Sequence, residues 1–202
     1  MSGVMAAMVG LSAQTSPNLV IFDFSTGSGS VTIPAAPTSV TIQVWGGGGG
    51  GGFGQDTGEG GGGGAGGYSK VTIAMSGADA AKTMLYTVGA LGTGSNTPDP
   101  GNPGGTSTVS SGTYAVTPLI ATGGQGGLSD GTVTQGAGGT ATGGSTNTTG
   151  AGGAAATQAG AAATTGDGGL VGGAGGTGGN PSFGGDRGDS GTPGRVRFVF
   201  SI

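Results

Sequence analysis

Trp45 is followed by "GGGGGGGFGQDTGEGGGGGAGG", sixteen glycines in the 22 residues 46–67. Glycine has the largest backbone entropy to lose on folding and is a poor helix former. It also offers no side chain for a sheet to pack. Two outcomes remain, a flexible linker or an ordered glycine lattice. A second block, 123–194, holds 28 glycines in 72 residues and only Leu128, Val133, Leu170, Val171 and Phe183 as large apolar side chains. No ordinary hydrophobic core can form there. The regular conformation left is the polyproline II type, with three residues per turn and a rise of about 3.1 Å. Collagen's strict G-x-y period is not kept. Bare polyglycine helices can nevertheless pack side by side, each giving its N–H and C=O groups to neighbours. Ordering a residue costs roughly 1–2 kcal/mol, and a hydrogen bond returns about 1 kcal/mol net. One run against one neighbour therefore loses, while a bundle with clamped ends approaches balance. Strand-like segments ending at Trp45, starting at Tyr68 and starting at Arg195 supply the clamps.

The large apolar residues are segregated into those segments. "LVIFDF" (19–24) is an apolar run. "SVTIQVW" (39–45) alternates, with Val40, Ile42 and Val44 on one face. "YSKVTIAM" (68–75), "MLYTVG" (84–89) and the closing "RVRFVFSI" read similarly. "TSTVS" (106–110) and "YAVTPLIAT" (114–122) are weaker, Pro118 marking an edge or a strand end. The pattern predicts an all-β fold: a small antiparallel β-sandwich or jelly-roll-like module carrying a polyglycine II bundle. Residues 18–45, 68–122 and 195–202 form the sandwich, and 46–67 with 123–194 form the bundle. Residues 1–17 are a docking segment. Trp45 is expected to pack where sandwich and bundle meet.

Several chemistries are excluded. The chain has no Cys and no His, which removes disulfides, the usual zinc sites and His-based catalysis. Five basic residues, at a net charge of −4, form no cluster able to neutralise phosphates, so nucleic acid is not an expected partner. No stretch is apolar for the ~18 residues of a membrane span, so no membrane insertion is expected. "MSGVMAAMVGLSAQ" lacks a basic start, and Gly10 interrupts its apolar stretch, which argues against a cleaved signal. "GADAAKT" (77–83) has Ala81 where a phosphate loop needs glycine. The acidic residues sit in separate islands, as solvated turn residues do, rather than as a catalytic pair. "RGD" (187–189) arises readily in so glycine-rich a chain, and "NTT" at Asn147 is a sequon by pattern only. The chain is read as a non-enzyme without cofactor or metal.

"VTIPAAPTSVTIQVWGGGGGGG", "GGGGAGGYSKVTI", "LYTVGALG", "NPGGTSTV", "IATGGQGG" and "GTPGRVRFVF", in that order, resemble the glycine-rich domain of tail proteins of tailed bacteriophages. The glycine blocks resemble the polyglycine II sandwich of long-tail-fibre adhesins, whose end loops recognise the host receptor. The resemblance implies a virion component, extracellular, in the tail fibre or tail tip. Its partners would be other tail proteins and a host receptor, a glycan or an outer-membrane protein. It also implies a homo-oligomer, a trimer, and carries over no catalytic residue.

On that reading the turns between glycine runs are contact loops. They span 53–59, 94–102, 128–135, 145–149 and 180–183. The candidate contact residues are Phe53, Gln55, Asp56, Glu59, Asn96, Asp99, Asn102, Asp130, Gln135, Asn147, Asn180 and Phe183. For Phe53 and Phe183 the other reading is a plug at the bundle end. Val4, Met5, Met8, Val9 and Leu11 are the candidate assembly contacts. Two rival functions are a purely structural tail or capsid decoration protein and an ice-binding protein. The latter rests on the Thr- and Ala-rich segment 138–166, which lacks a regular spacing.

Overall fold

The computed structural model describes residues 18–54, 58–129, 134–154, 159–178 and 186–202. Ten strands make up the sheets: β1 (Leu19–Phe24), β2 (Ser28–Thr32), β3 (Ser39–Trp45), β4 (Tyr68–Ala74), β5 (Thr83–Thr87), β6 (Ser107–Ser111), β7 (Leu119–Ala121), β8 (Ala141–Thr142), β9 (Thr146–Thr148) and β10 (Arg195–Ser201). They form two antiparallel five-stranded sheets, ordered β1-β10-β3-β4-β9 and β2-β5-β6-β7-β8. The sheets pack face to face. The alternation of β3 and β10 delivers their core residues in register: Val40 opposite Phe200, Ile42 opposite Phe198, Val44 opposite Val196. The other sheet contributes Val31, Met84, Val109, Leu119 and Ala121, and all of these are buried.

The strands expected from sequence are present with shifted ends. The weak segment around Pro118 is a strand only over Leu119–Ala121, because proline has no N–H for a ladder. β2, β8 and β9 carry almost no apolar side chains, so no alternation announced them.

The glycine segments run out from one end of the sandwich as extended helices hydrogen-bonded to one another. The 46–52 run shows the geometry. Gly46, Gly49 and Gly52 donate to the carbonyls of Gly67, Gly64 and Gly61; Gly47 and Gly50 donate to Gly105 and Asn102; Gly48 and Gly51 donate to Thr192 and Asp189. Every third residue thus returns to the same antiparallel neighbour, as three residues per turn requires. The carbonyls of the run accept from three parallel neighbours. Gly47 and Gly50 accept from Gly124 and Gly127, Gly48 and Gly51 from Gly92 and Ser95, and Gly49 from Gly176.

Six runs therefore surround 46–52, and they are bonded to one another in a closed ring: 90–95, 101–105, 122–128, 61–67, 173–178 and 188–194. The 61–67 run has its own ring, made of 46–52, 122–128, 134–140, 150–154, 159–163 and 173–178. The two rings overlap, each enclosed run being a member of the other's ring and 122–128 and 173–178 belonging to both, and the two nearly pure glycine runs are the two that are enclosed on all sides. This is the physical reason for the long runs. A side chain on an enclosed helix has no outward direction to take. A Cβ built at Gly46, Gly49 or Gly52 would fall on the carbonyl oxygen of Thr122, Gln125 or Leu128. At Gly47 and Gly50 it would fall on the carbonyls of Ala90 and Thr93. These glycines are required for space, not for a left-handed backbone: among the described lattice residues only Gly173, with φ +72°, needs the latter.

The peripheral runs have an open side, where side chains point outward. Thr122, Gln125 and Leu128 do so on one run, and Thr134, Ala137 and Thr140 on the next. Residues 89–105, assigned by sequence to the sandwich, contribute two such runs instead. Their "GALGTG" carries the same triplet spacing.

Candidate functional site

The runs alternate in direction, so their reversals fall at two ends. At the near end they continue into the strands. There Trp45 is fully buried, its Nε1–H donates to the Thr164 carbonyl (2.9 Å), and its ring lies 5.0 Å from that of Tyr68. The expected position of Trp45 at the junction is thus observed. Gln43, also buried, accepts from the Tyr68 hydroxyl (3.0 Å) and the Asp167 N–H (2.8 Å), and Lys70 pairs with Asp167 at 2.5 Å. Burial, reinforced by the nearby Asp167 carboxylate, pushes the Tyr68 hydroxyl up to about 12. This junction is built to hold sheet and lattice together.

The far end holds the charged residues of the described lattice. It carries a cleft of about 910 Å³, walled by 93–97, 99–102 and 187–190. Its walls are the last turns of lattice runs and are tied by backbone bonds. Gly188 N–H donates to the Ser95 carbonyl (3.0 Å), and Asn102 N–H to the Thr93 carbonyl (2.9 Å). Side chains are fixed in the same way. Asn102 Nδ2 donates to Thr93 Oγ1 (2.7 Å), the Thr97 hydroxyl to Asp99 (2.8 Å), and the Thr177 hydroxyl to Asp189.

The structure brings three of the candidate contact residues, Asn96, Asp99 and Asn102, into this cleft. Phe53 and Glu59 are half-buried on the chain entering and leaving another reversal, where Gly54 bridges to Asp186. Gln135 is exposed on the 134–140 run. Asn147 is elsewhere. It lies on β9 at the sheet end, where its side chain accepts from Ser69 (2.8 Å) and Gly144 N–H (3.1 Å) and donates to the Gly144 carbonyl (2.8 Å). Its polarity serves a turn, not the far end, so the 145–149 segment does not share a surface with the other loops. Gln55, Asp56, Asp130, Asn180 and Phe183 lie outside the described residues. So do Val4, Met5, Met8, Val9 and Leu11, with the whole 1–17 segment.

Arg187, Asp189 and Ser190 in the cleft wall were not among the sequence candidates. The signal available was the "RGD" tripeptide, and the structure gives it another meaning. Gly188 is a lattice residue whose Cβ would strike the Gly51 carbonyl, and Asp189 accepts from Gly51 N–H through its backbone and from Thr177 through its carboxylate.

Among the described residues no group of His, Cys, Asp or Glu is placed to hold a metal, and no helix is long and apolar enough to cross a membrane. The family model of a glycine-rich domain matches residues 24–199, and the chain belongs to that family. The match takes in the lattice and every strand but β1, of which it includes only Phe24. A search of curated proteins gave no match.

Proposed function

We propose that the protein is a virion component of a tailed bacteriophage, in the tail fibre or tail tip, that acts as a host-receptor adhesin. One observation carries the reading. The charged residues of the described lattice, Glu59, Asp99, Asp186, Arg187 and Asp189, lie at the end away from the sheets, while the runs between are held by their own backbone. Such a lattice is a stiff spacer, and stiffness keeps the entropy cost of binding low. The order of motifs that resembles phage tail proteins supports the setting, in which the sandwich end docks onto other tail proteins and the far end faces the host. Extracellular exposure and a trimeric assembly through residues 1–17 belong to the same proposal.

The test is an adhesion assay with the 96–100 turn exchanged for an unrelated turn of equal length. Altered host specificity supports the reading, and unchanged specificity contradicts it. A second reading, a structural tail or capsid decoration protein, draws on Leu19 and Ile21, which are 53% and 47% exposed on the outer face of β1. It predicts that Leu19→Ser with Ile21→Ser abolishes incorporation into particles, while the turn exchange changes nothing.

A further inference from the structure

The charged groups of the cleft are arranged differently from those of the sandwich. Lys70, Lys82 and Arg195 each lie within 2.8 Å of a carboxylate, and Arg197 lies 3.9 Å from Asp23. Arg187 forms no ion pair with a described residue, although it shares the cleft wall with Asp99 and Asp189. Arg187 and Asp99 thus line one polar space without neutralising one another, while the Asp189 carboxylate accepts from the Thr177 hydroxyl. An anionic ligand would satisfy Arg187 but meet Asp99. A cationic ligand would meet the reverse problem. A group that donates and accepts at neighbouring atoms satisfies both, and a vicinal diol is such a group. The other wall groups, Thr93, Asn96 and Asn102, are hydroxyls and amides of the same dual character. Because lattice bonds hold the walls, little side-chain or backbone entropy is left to lose on binding.

We propose that this cleft binds an uncharged glycan residue through a pair of adjacent hydroxyls, one donating to Asp99 and one accepting from Arg187. The proposal deepens the adhesin reading and rests on it for its biological setting, but not for its chemistry.

The test is an NMR titration of the full chain with methyl α-mannopyranoside, methyl α-glucopyranoside and methyl α-galactopyranoside, with N-acetylneuraminic acid as the anionic comparison. At least one neutral glycoside is expected to shift the amides of Gly94, Gly101 and Gly188, with N-acetylneuraminic acid weaker. Asp99→Asn and Arg187→Gln should each weaken binding about tenfold or more. Both positions are exposed, and the Thr97 hydroxyl's bond to Asp99 within the turn can be kept by the asparagine carbonyl, so the variants are expected to fold. Absence of shifts with all three glycosides, preference for the acidic sugar, or undiminished binding by both variants would overturn the proposal. Periodate treatment of adherent cells, which cleaves vicinal diols, separates the two levels. Adhesion that survives periodate but not protease makes the receptor a protein and sinks the glycan, leaving the adhesin reading intact. Adhesion indifferent to the 96–100 exchange sinks the adhesin reading, while the titration still decides the glycan.

Discussion

The sandwich and the lattice share one chain and are held by opposite means. The sandwich buries Phe198, Phe200, Ile42 and Leu119 completely, and its strands could exchange one apolar side chain for another of similar size. The lattice buries almost nothing but backbone. Its enclosed runs hold their N–H and C=O groups by hydrogen bonds of 2.8–3.1 Å, and the hydrogens of their Cα atoms face neighbouring carbonyls. A hydrophobic core is forgiving of identity and demanding of volume. A polyglycine lattice is demanding of identity at its enclosed glycines, where even a methyl meets backbone that cannot rotate away.

The sharpest break of that comparison is a side chain on an enclosed run. Gly49→Val should cost several kcal/mol or prevent folding, because its Cβ would occupy the place of the Gln125 carbonyl. Equilibrium urea denaturation measures it, and wild-type stability would mean that Gly49 is not enclosed. Ala65 sharpens the contrast. It is fully buried on the 61–67 run, and its N–H donates to the Ala151 carbonyl (2.9 Å), so that run accommodates one methyl. Ala65→Gly should change stability by about 1 kcal/mol or less.

Next in size is the sandwich equivalent. Phe198→Ala should cost about 3–5 kcal/mol by the same denaturation, and Ile42→Val about 1 kcal/mol, the graded response of an apolar core. At the junction, Trp45→Phe keeps most of the ring volume but removes the donor to Thr164; a loss of about 1–3 kcal/mol is expected.

The smallest effect is in pH. Tyr68 has a hydroxyl raised to about 12, against about 10 in an unfolded chain. Above pH 10 the unfolded state loses that proton first. The stability contribution is therefore complete below pH 10 and declines as pH rises toward 12. Tyr68→Phe should flatten this part of the stability profile, and an unchanged slope would assign the decline to other groups.

The sequence carried the sandwich through alternation in β3 and β10, where period 2 and burial coincide, and Trp45 was legible from its position between strand and glycine. The lattice was legible in principle from the two pure glycine runs. The roles of 89–105 and of the peripheral runs were harder to read, because their signal is a glycine triplet broken by Leu91, Pro100 and Pro103. Collagen's rule is global, whereas here the triplet is needed only where a run has one open side. The far-end cleft was half legible. Asn96, Asp99 and Asn102 are one turn and could be read together, while Arg187 arrives from a run some 85 positions away and is placed beside them only by lattice register. Asn147 misled because polar turn residues look alike whichever end of a run they occupy.

The central claim is that the glycine runs are ordered by hydrogen bonds to their neighbours, and amide hydrogen exchange tests it most directly. Gly47, Gly50 and Gly64 donate to the carbonyls of Gly105, Asn102 and Gln125 at 2.9 Å. The account predicts that these amides exchange as slowly as those of Ile42 and Phe198 in the sheet, opening only with the whole fold. Exchange at the rate of an unstructured peptide, with the sheet amides still protected, would make 46–67 a tether and contradict it.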